Sequence, residues 1–517
     1  MYYNVTFTEP GEYKVTVSTD RGPVEVVYEV LAGPGKQADN VIFFIGDGMQ
    51  QGMISAARLI SRGQQHGFSQ GDLYLDTMPG IGLQRTSGVD SIITDSANSA
   101  SSFNTGHKSS VNALGVYADT TSDTLDDPKV ETLAERAKRE LGKCVGIVTN
   151  SEIQDATPAA AWAHTRSRGD KDVIVDQLLN GVDNHSIFSN GNGLQAEVIM
   201  GGGGAYFHPP QSLNGTDYYE AFRDAGYTIV HTREELLANA GAEKILGIFH
   251  EGNMDVWLDR NVFTDNIKAP LNTGSPVNLG GPADDQPGLV EMTQVALQTL
   301  KGCSNGFYLY VEAASIDKQM HPIDVDRALA DLIELDETIG VALDFAKEDG
   351  NTLVVATGDH GHGFDVFGTV DTEIFNDGTT NVDKRRGVGL YASAGMPNYV
   401  DSDGDHFPDS WSPRYVVASG VNNFPTHSED YQVSPVPRVP AILVDGVFVN
   451  NPEDDPDGIF LSGNINPRGS TGVHTLTDVT VFSYGPGSER LTGTYENTRI
   501  FFAMAEALGL GEYQGSS

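Results

Sequence analysis

The segment Ile92-Ile-Thr-Asp-Ser96-Ala-Asn-Ser99 carries the first chemically suggestive residue of this chain. A β-rich run ends in Asp95-Ser96, and the small residues after it can open a helix. A serine there sits in the positive field of unpaired backbone N–H groups, where a phosphate is also well held. Ser after Asp is equally an ordinary helix cap, so the segment needs support from elsewhere.

That support is a series of metal-type ligands on five separated segments. The apolar run Val41-Ile-Phe-Phe-Ile-Gly stops at Asp47, between two glycines. The run Cys144-Val-Gly-Ile-Val-Thr149 leads to Asp155-Ala-Thr157-Pro158. Gly306-Phe-Tyr-Leu-Tyr-Val-Glu312 continues to Asp317, Lys318 and His321. Asn351-Thr-Leu-Val-Val-Ala-Thr-Gly runs into Asp359-His360-Gly-His362. Gly472-Val-His474 stands just ahead of the strand-like Val479-Thr-Val-Phe-Ser-Tyr484. Continuous apolar runs are the signature of buried parallel strands, and α/β folds build their sites at the carboxyl ends of such strands. Carboxylates converging there repel one another unless cations neutralise them. Mixed Asp oxygen and His nitrogen suits zinc, whereas an Asp, Glu and Thr oxygen set suits magnesium.

With these residues in view, the chain resembles the alkaline phosphatase family, in its bacterial form. The resemblance rests on Asp47-Gly48, Asp95-Ser96-Ala97, Asp155-Ala-Thr157-Pro158, Glu312 through Asp317-Lys318 to His321, Asp359-His360 and His474. Val198-Ile-Met-Gly-Gly-Gly-Gly204, Pro287-Gly-Leu-Val-Glu-Met292 and Tyr484-Gly-Pro-Gly-Ser-Glu489 support it, from about Ala38 to Leu510. The resemblance implies Ser96 as a nucleophile that becomes phosphorylated. It implies one zinc on Asp317, His321 and His474, and a second on Asp47, Asp359 and His360. Asp47 then bridges to magnesium, shared with Thr157 and Glu312. Arg168 aligns with the family's phosphate-gripping arginine, with Arg166 the near-miss. A guanidinium there grips two phosphate oxygens in a fork. Two cations roughly 4 Å apart can clamp the attacking and leaving oxygens of an in-line displacement. Lys318 and Asp155 resemble a bacterial version in which the lysine helps hold phosphate, which favours magnesium at the third site; the plainer reading is a surface salt bridge.

Other histidines remain unassigned. His164 is expected to orient a neighbour. His362 points the same way as His360 along an extended strand and is at most an outer donor to the site. His427 is the runner-up to His474. His107 and His208 read as loop residues.

Around these segments, strands alternate with amphipathic helices such as Val130 to Leu141, Leu289 to Leu300 and Val325 to Ala346. That order predicts an α/β fold with a central, mainly parallel sheet sandwiched between helices. Residues 36–363 and 471–517 form the expected catalytic domain. Residues 364–470, rich in Asp, Asn, Pro and Gly, read as an irregular insertion near the active site or a dimer interface. Residues 1–35 read as a short β-segment and linker, either the remnant of a small β-domain or an arm on a partner subunit. Within the insertion, Asp401, Asp403 and Asp405 alternate like a calcium loop, though without the full twelve-residue pattern.

Composition narrows the functions. There are 71 acidic against 32 basic residues, a net charge of −39. That argues against nucleic-acid or anionic-membrane partners, which need a positive face. It also suits a solvated surface in saline surroundings, hence a halophilic or marine source. No apolar run is long enough to span a bilayer, and Met1-Tyr-Tyr-Asn-Val lacks a signal-peptide pattern. A periplasmic or secreted location and a homodimer are implied by the resemblance only. Cys144 and Cys303 are the two cysteines, each at or just before a strand. If those strands are neighbours, the thiols can pair at the sheet end remote from the metals. The expected activity is hydrolysis of small phosphate monoesters of broad range. The alternatives are a diesterase or sulfatase of the same superfamily, or a calcium-stabilised structural protein. Sulfatases need a Cys/Ser-x-Pro-x-Arg context that Ser96 lacks, and diesterases of this superfamily commonly use threonine.

Overall fold

The structure is a computed structural model that describes residues 11–19, 22–30, 36–182, 193–389, 395–411, 414–421 and 472–510, with four strands at 432–435, 442–444, 447–449 and 459–463. His427 lies outside the described residues.

A hairpin of β1 (Gly11–Thr19) and β2 (Gly22–Val30) comes first. Its register sets Tyr13, Val15 and Val17 opposite Tyr28, Val26 and Val24 on one face.

The body is a ten-stranded sheet. Its strands are β3 (Asn40–Gly46), β4 (Gly80–Arg85), β5 (Cys144–Glu152), β6 (Val198–Gly202), β7 (Thr228–Val230), β8 (Ile245–Ile248), β9 (Phe307–Ala313), β10 (Thr352–Gly358), β11 (Val479–Tyr484) and β12 (Gly493–Glu496). Their spatial order is β12-β4-β11-β10-β3-β9-β5-β6-β8-β7. Only β11 runs against its neighbours; every other pairing is parallel.

Alternation along the central strands feeds two cores. From β3, Ile42 and Phe44 join one and Val41, Phe43 and Ile45 the other. From β9, Leu309 and Val311 face the first, Tyr308 and Tyr310 the second. Both faces are buried, so these strands read as unbroken apolar runs. One face is covered by α1 (Gln51–Arg62), α5 (Leu289–Leu300) and α7 (Val325–Asp349), the other by α2 (Ser96–Thr105), α3 (Leu133–Leu141) and α8 (Thr498–Leu508). The expected α/β sandwich is borne out, with the reversed strand as its one irregularity.

The segment after β10 builds a separate three-stranded sheet from Phe364–Asp371, Val388–Gly389 and Tyr415–Val421, around Val370, Phe375, Val416 and Ala418. Two short helices, Thr372–Asp377 and Asn381–Arg385, sit in the part expected to be irregular. Each has an N-cap suited to a short helix, Asp371 and Thr380.

Cys144 and Cys303 form a disulfide with Cα atoms 6.1 Å apart. The neighbour condition is met, because β5 and β9 pair with Phe307 opposite Cys144, at the amino end of both strands. The bond closes a loop of 159 residues, so it restricts the unfolded chain strongly. Reduction, or Cys144→Ser with Cys303→Ser, is expected to cost about 2–4 kcal/mol in denaturant unfolding, while leaving the distant site's turnover unchanged.

Candidate active site

The sheet order explains why distant segments meet. Asp47 follows β3, Asp359 and His360 follow β10, Glu312 is the last but one residue of β9 and Thr149 lies near the end of β5. These four strands are consecutive neighbours in the sheet. His474 precedes β11, the reversed strand beside β10, so the start of that strand lies at the carboxyl edge of the rest. An isolated bridge between Gly361 and Thr475 fastens that approach.

Ser96 opens α2, with Asp95 as N-cap accepting the Asn98 N–H at 3.1 Å. The Ser96 Oγ lies 3.3 Å from His360 Nε2 and 3.4 Å from Asp47 Oδ1. His360 Nε2 is also 3.3 Å from Asp47 Oδ1 and from Asp359 Oδ2. Asp359 is held in place: Oδ1 accepts from the N–H of Gly48 and of His360 at 2.9 Å, and Oδ2 from the Ser99 hydroxyl at 3.1 Å. Gly48 is required here. Its φ is +73°, and a Cβ would lie 2.8 Å from His362.

A second group gathers beside it. Asp317 comes from α6 (Ser315–Met320). Its Oδ1 lies 3.3 Å from His474 Nε2 and 3.4 Å from His321 Nε2, and the two imidazole nitrogens are 3.3 Å apart. His321 Nδ1 donates to the Gly472 carbonyl at 3.1 Å and His474 Nδ1 to the Thr94 carbonyl at 2.8 Å. Those bonds orient both rings so that their Nε2 atoms converge beside Asp317. His360 and His474 stack, ring centroids 3.5 Å apart.

His362 has the contact of an outer donor. Its Nε2 bonds Asp317 Oδ1 at 2.5 Å, fully buried, so it touches the site directly. It also stands in a potential four-ligand group with Asp317, His360 and His474, which omits His321. The spacing His360-x-His362 carried that signal, since alternate residues of an extended segment share a face.

The oxygen-rich group lies on the other side of Asp47. Thr157 follows the capping Asp155 in the short α4 (Ala156–Ala159), and its hydroxyl is 3.5 Å from Asp47 Oδ2. Glu312 is buried and accepts the Thr149 hydroxyl at 2.5 Å. Asp155 bridges two cations: Oδ2 accepts from Lys318 Nζ at 2.6 Å and Oδ1 from Arg168 at 3.0 Å. Arg168 also reaches Asp95 at 3.3 Å. Lys318 and Asp155 are mostly shielded, so the plain surface salt bridge does not describe them. Arg166 turns away, to the Asp119 carboxylate at 3.2 Å and the Asp123 carbonyl at 2.9 Å.

His164, His107 and His208 each have a structural partner. His164 is buried between the Gly115 carbonyl and Glu135. His107 meets the Tyr117 ring edge-on. His208, expected to lack a partner, pairs with Glu251 at 3.0 Å. The acidic loop needs one correction. Asp401, Asp403 and Asp409 come together, not Asp405. The Asp405 Oδ1 accepts the Phe407 N–H at 2.8 Å, and the chain brings Asp409 back onto Ser402.

Electrostatics show what the site demands. Burial, then Asp359, Asp317 and Glu312, push the Asp47 carboxyl well above the usual range. Burial pushes Glu312 up to about 8. Burial also works to raise Asp317, but His362, with His321 and His474, more than offsets it and holds it low. Burial, then His474, keeps His360 neutral. Among the described residues, Asp47 and Glu312 are thus driven toward protonation while the adjoining His360 is kept from carrying a compensating charge. His360 Nδ1 is buried without a hydrogen-bond partner. This donor set fits divalent cations.

Such a fold and site define a metal-dependent hydrolase of the α/β class. Residues 38–510 match the family model for alkaline phosphatase, and the chain belongs to that family. It is 35% identical over 360 residues to the alkaline phosphatase of Escherichia coli strain K12, covering 63% of this chain and 71% of that protein. It is 33% identical over 503 residues to the tissue-nonspecific isozyme of Gallus gallus, covering 92% and 85%. The alkaline phosphatase of Thermus thermophilus shares the fold at a TM-score of 0.62 and 24% identity, covering 93% of each chain. The enzyme from the Antarctic bacterium TAB5 does so at 0.56 and 22%, covering 92% and 98%. This chain is accordingly a phosphomonoesterase.

Glu312 makes the metal-free protein pH-sensitive. Its carboxyl is protonated in the fold below about 8 and, once unfolded, only below about 4.5. The fold therefore binds the extra proton between those values, and its stability falls as pH rises through the window. Thermal melts of metal-stripped protein should show this decline, and Glu312→Gln should flatten part of it. An unchanged slope in that variant would remove Glu312 as its source.

Proposed function

We propose that this enzyme hydrolyses small phosphate monoesters of broad range through a covalent phosphate on Ser96. The observation that carries this reading is the hydroxyl of Ser96, at a helix start, within 3.4 Å of both Asp47 and His360. In this reading Asp317, His321 and His474 hold one zinc ion, and Asp47, Asp359 and His360 a second. Asp47, Thr157 and Glu312 hold magnesium. When bound, these cations lower the pKa of nearby hydroxyl groups and offset the negative charge that develops on transfer. His362 keeps Asp317 ionised and aimed.

The Ser96 oxygen attacks phosphorus in line, and the ester P–O bond opposite it breaks. The leaving alkoxide takes up a proton. Water then attacks the phosphoserine, orthophosphate leaves and the Ser96 hydroxyl is restored. Arg168 grips two phosphate oxygens in its fork, and Lys318 contributes a point charge. Asp155 orients both.

The Cys144–Cys303 disulfide supports an oxidising location, periplasmic or secreted. We place residues 1–35 as an accessory arm, 36–363 with 471–517 as the catalytic domain and 364–470 as an insertion, in a homodimer. Asp401, Asp403 and Asp409 serve as a calcium loop. The charge of −39 reflects a saline habitat.

Ser96→Ala should lower kcat by about 10³-fold or more, measured on an aryl phosphate monoester, with no phosphoserine trapped at low pH. Full activity in that variant would refute the nucleophile. Arg168→Ala removes two charge-assisted hydrogen bonds and should lower kcat/KM about 10²–10⁴-fold. A bis-aryl phosphate should turn over far more slowly than the monoester; a reversed ratio would make the enzyme a diesterase. Folding that is indifferent to salt down to very low concentration would count against the saline reading.

A further inference from the structure

The strand that carries Thr149 holds one more residue, which the reaction steps leave unused. Asn150 is buried at the carboxyl end of β5. Its Oδ1 accepts from the N–H of Ala314 at 2.7 Å and of Ser315 at 3.3 Å. Its Nδ2 donates to Asp331 Oδ1 at 3.3 Å, and Asp331 Oδ2 accepts the Trp257 N–H at 3.2 Å. The Asn150 carbonyl takes the Met254 N–H at 3.1 Å. The amide can sit only one way round, because two donors face one end and a carboxylate the other.

The contacts fall at a sensitive place. Glu312 is the sixth residue of β9, and α6 begins three residues later with Asp317, Lys318 and then His321 at its C-cap. The first N–H groups of any helix lack intrahelical acceptors, and the N-cap residue here, Ala314, has no side-chain acceptor of its own. Asn150 supplies that cap from a different strand. Its neighbour Thr149 holds the Glu312 carboxylate. Two consecutive residues of β5 therefore grip both sides of the turn joining Glu312 to Asp317. Asp331, from α7, grips Asn150 in its turn.

We propose that Asn150 is a positioning residue: its amide, clamped by Asp331, fixes the turn between Glu312 and Asp317, so that the ligands on both sides of it and Lys318 keep one mutual geometry. The proposal rests on the metal-ligand reading above. A shift of the first turn of α6 would carry Asp317 and Lys318 together, away from Glu312. Outer contacts of this kind, when lost, commonly cost 10–100-fold in metal affinity or activity.

The test uses the zinc- and magnesium-loaded enzyme and three variants: Asn150→Ala, Asn150→Asp, and Asn150→Asp combined with Asp331→Asn. The first removes the cap. The second keeps an acceptor for Ala314 and Ser315 but sets two carboxylates face to face. The double variant exchanges donor and acceptor across the same contact and still leaves an acceptor for the Trp257 N–H.

Zinc retained after timed dialysis against a chelator is read by elemental analysis, beside kcat, KM and thermal unfolding. Both single variants should lose zinc about tenfold faster and drop about tenfold or more in kcat/KM. The double variant should recover to within about threefold of the parent on both readouts. Retention and kcat/KM within twofold of the parent in a folded Asn150→Ala would overturn the proposal. So would a folded double variant that retains zinc no better than the Asn150→Asp single. If Asn150→Ala does not fold, the exchanged pair decides alone. Failure of the underlying reading would show elsewhere, as a parent enzyme in which elemental analysis finds no zinc after loading.

Discussion

Mutual repulsion of buried carboxylates is the constraint on which this structure turns. Asp47, Glu312, Asp317 and Asp359 share one crevice, each almost wholly removed from water. Two unit charges 4 Å apart interact by about 4 kcal/mol at the effective dielectric of a protein. The crevice resolves this unevenly. Burial first, and neighbouring carboxylates after it, drive Asp47 and Glu312 toward the protonated form, whereas Asp317, surrounded by His321, His362 and His474, stays ionised. The arrangement lacks positive charge where its donors converge, and divalent cations complete it.

Satisfying that constraint requires a frame that does not yield to repulsion. The four central strands supply it, buried on both faces and locked in parallel register. Local bonds then aim each ligand. Asp359 takes two N–H groups and a hydroxyl, and the Thr94 carbonyl orients His474. Because Thr94 immediately precedes Asp95-Ser96, the same bond ties the imidazole to the segment of Ser96. The reversal of β11 has the same purpose. A parallel strand there would leave residues ahead of it at the far end of the sheet, and His474 could not reach Asp317.

The frame was readable in the chain because burial on both faces leaves a plain mark: Val41 to Ile45 and Phe307 to Val311 are apolar without alternation. Ligands at strand ends were readable for the same reason, as abrupt stops at Asp47 and Asp359. Other features carry no such mark. The direction of β11 is set by pairing with strands far away in sequence, since its own apolar pattern is alike in either direction. His362 looked like a bystander because its role depends on Asp317, 45 residues away along the chain. Asn150 was invisible as a cap, since the helix it serves begins more than a hundred residues later. Near Asp401, acidic alternation drew attention to Asp405, yet the carboxylate that joins Asp401 and Asp403 is Asp409, which the chain brings back onto Ser402.

The acidity of the whole chain poses a further problem for an anionic substrate, and Asp155 bears on it. A chain of net charge −39 repels phosphate at long range, so attraction must be local. On the proposed reading Arg168 and Lys318 provide it, but bare cations so close together would repel one another and splay apart. Asp155 spans them, one oxygen to each, and holds both side chains converging before substrate arrives. The same carboxylate takes up part of their charge, so phosphate competes with it for the guanidinium and the ammonium. Preorganisation is gained and affinity for the anion is moderated. For an enzyme whose product is the same anion that its substrate presents, a grip that positions without holding tightly favours release of orthophosphate as much as capture of the ester.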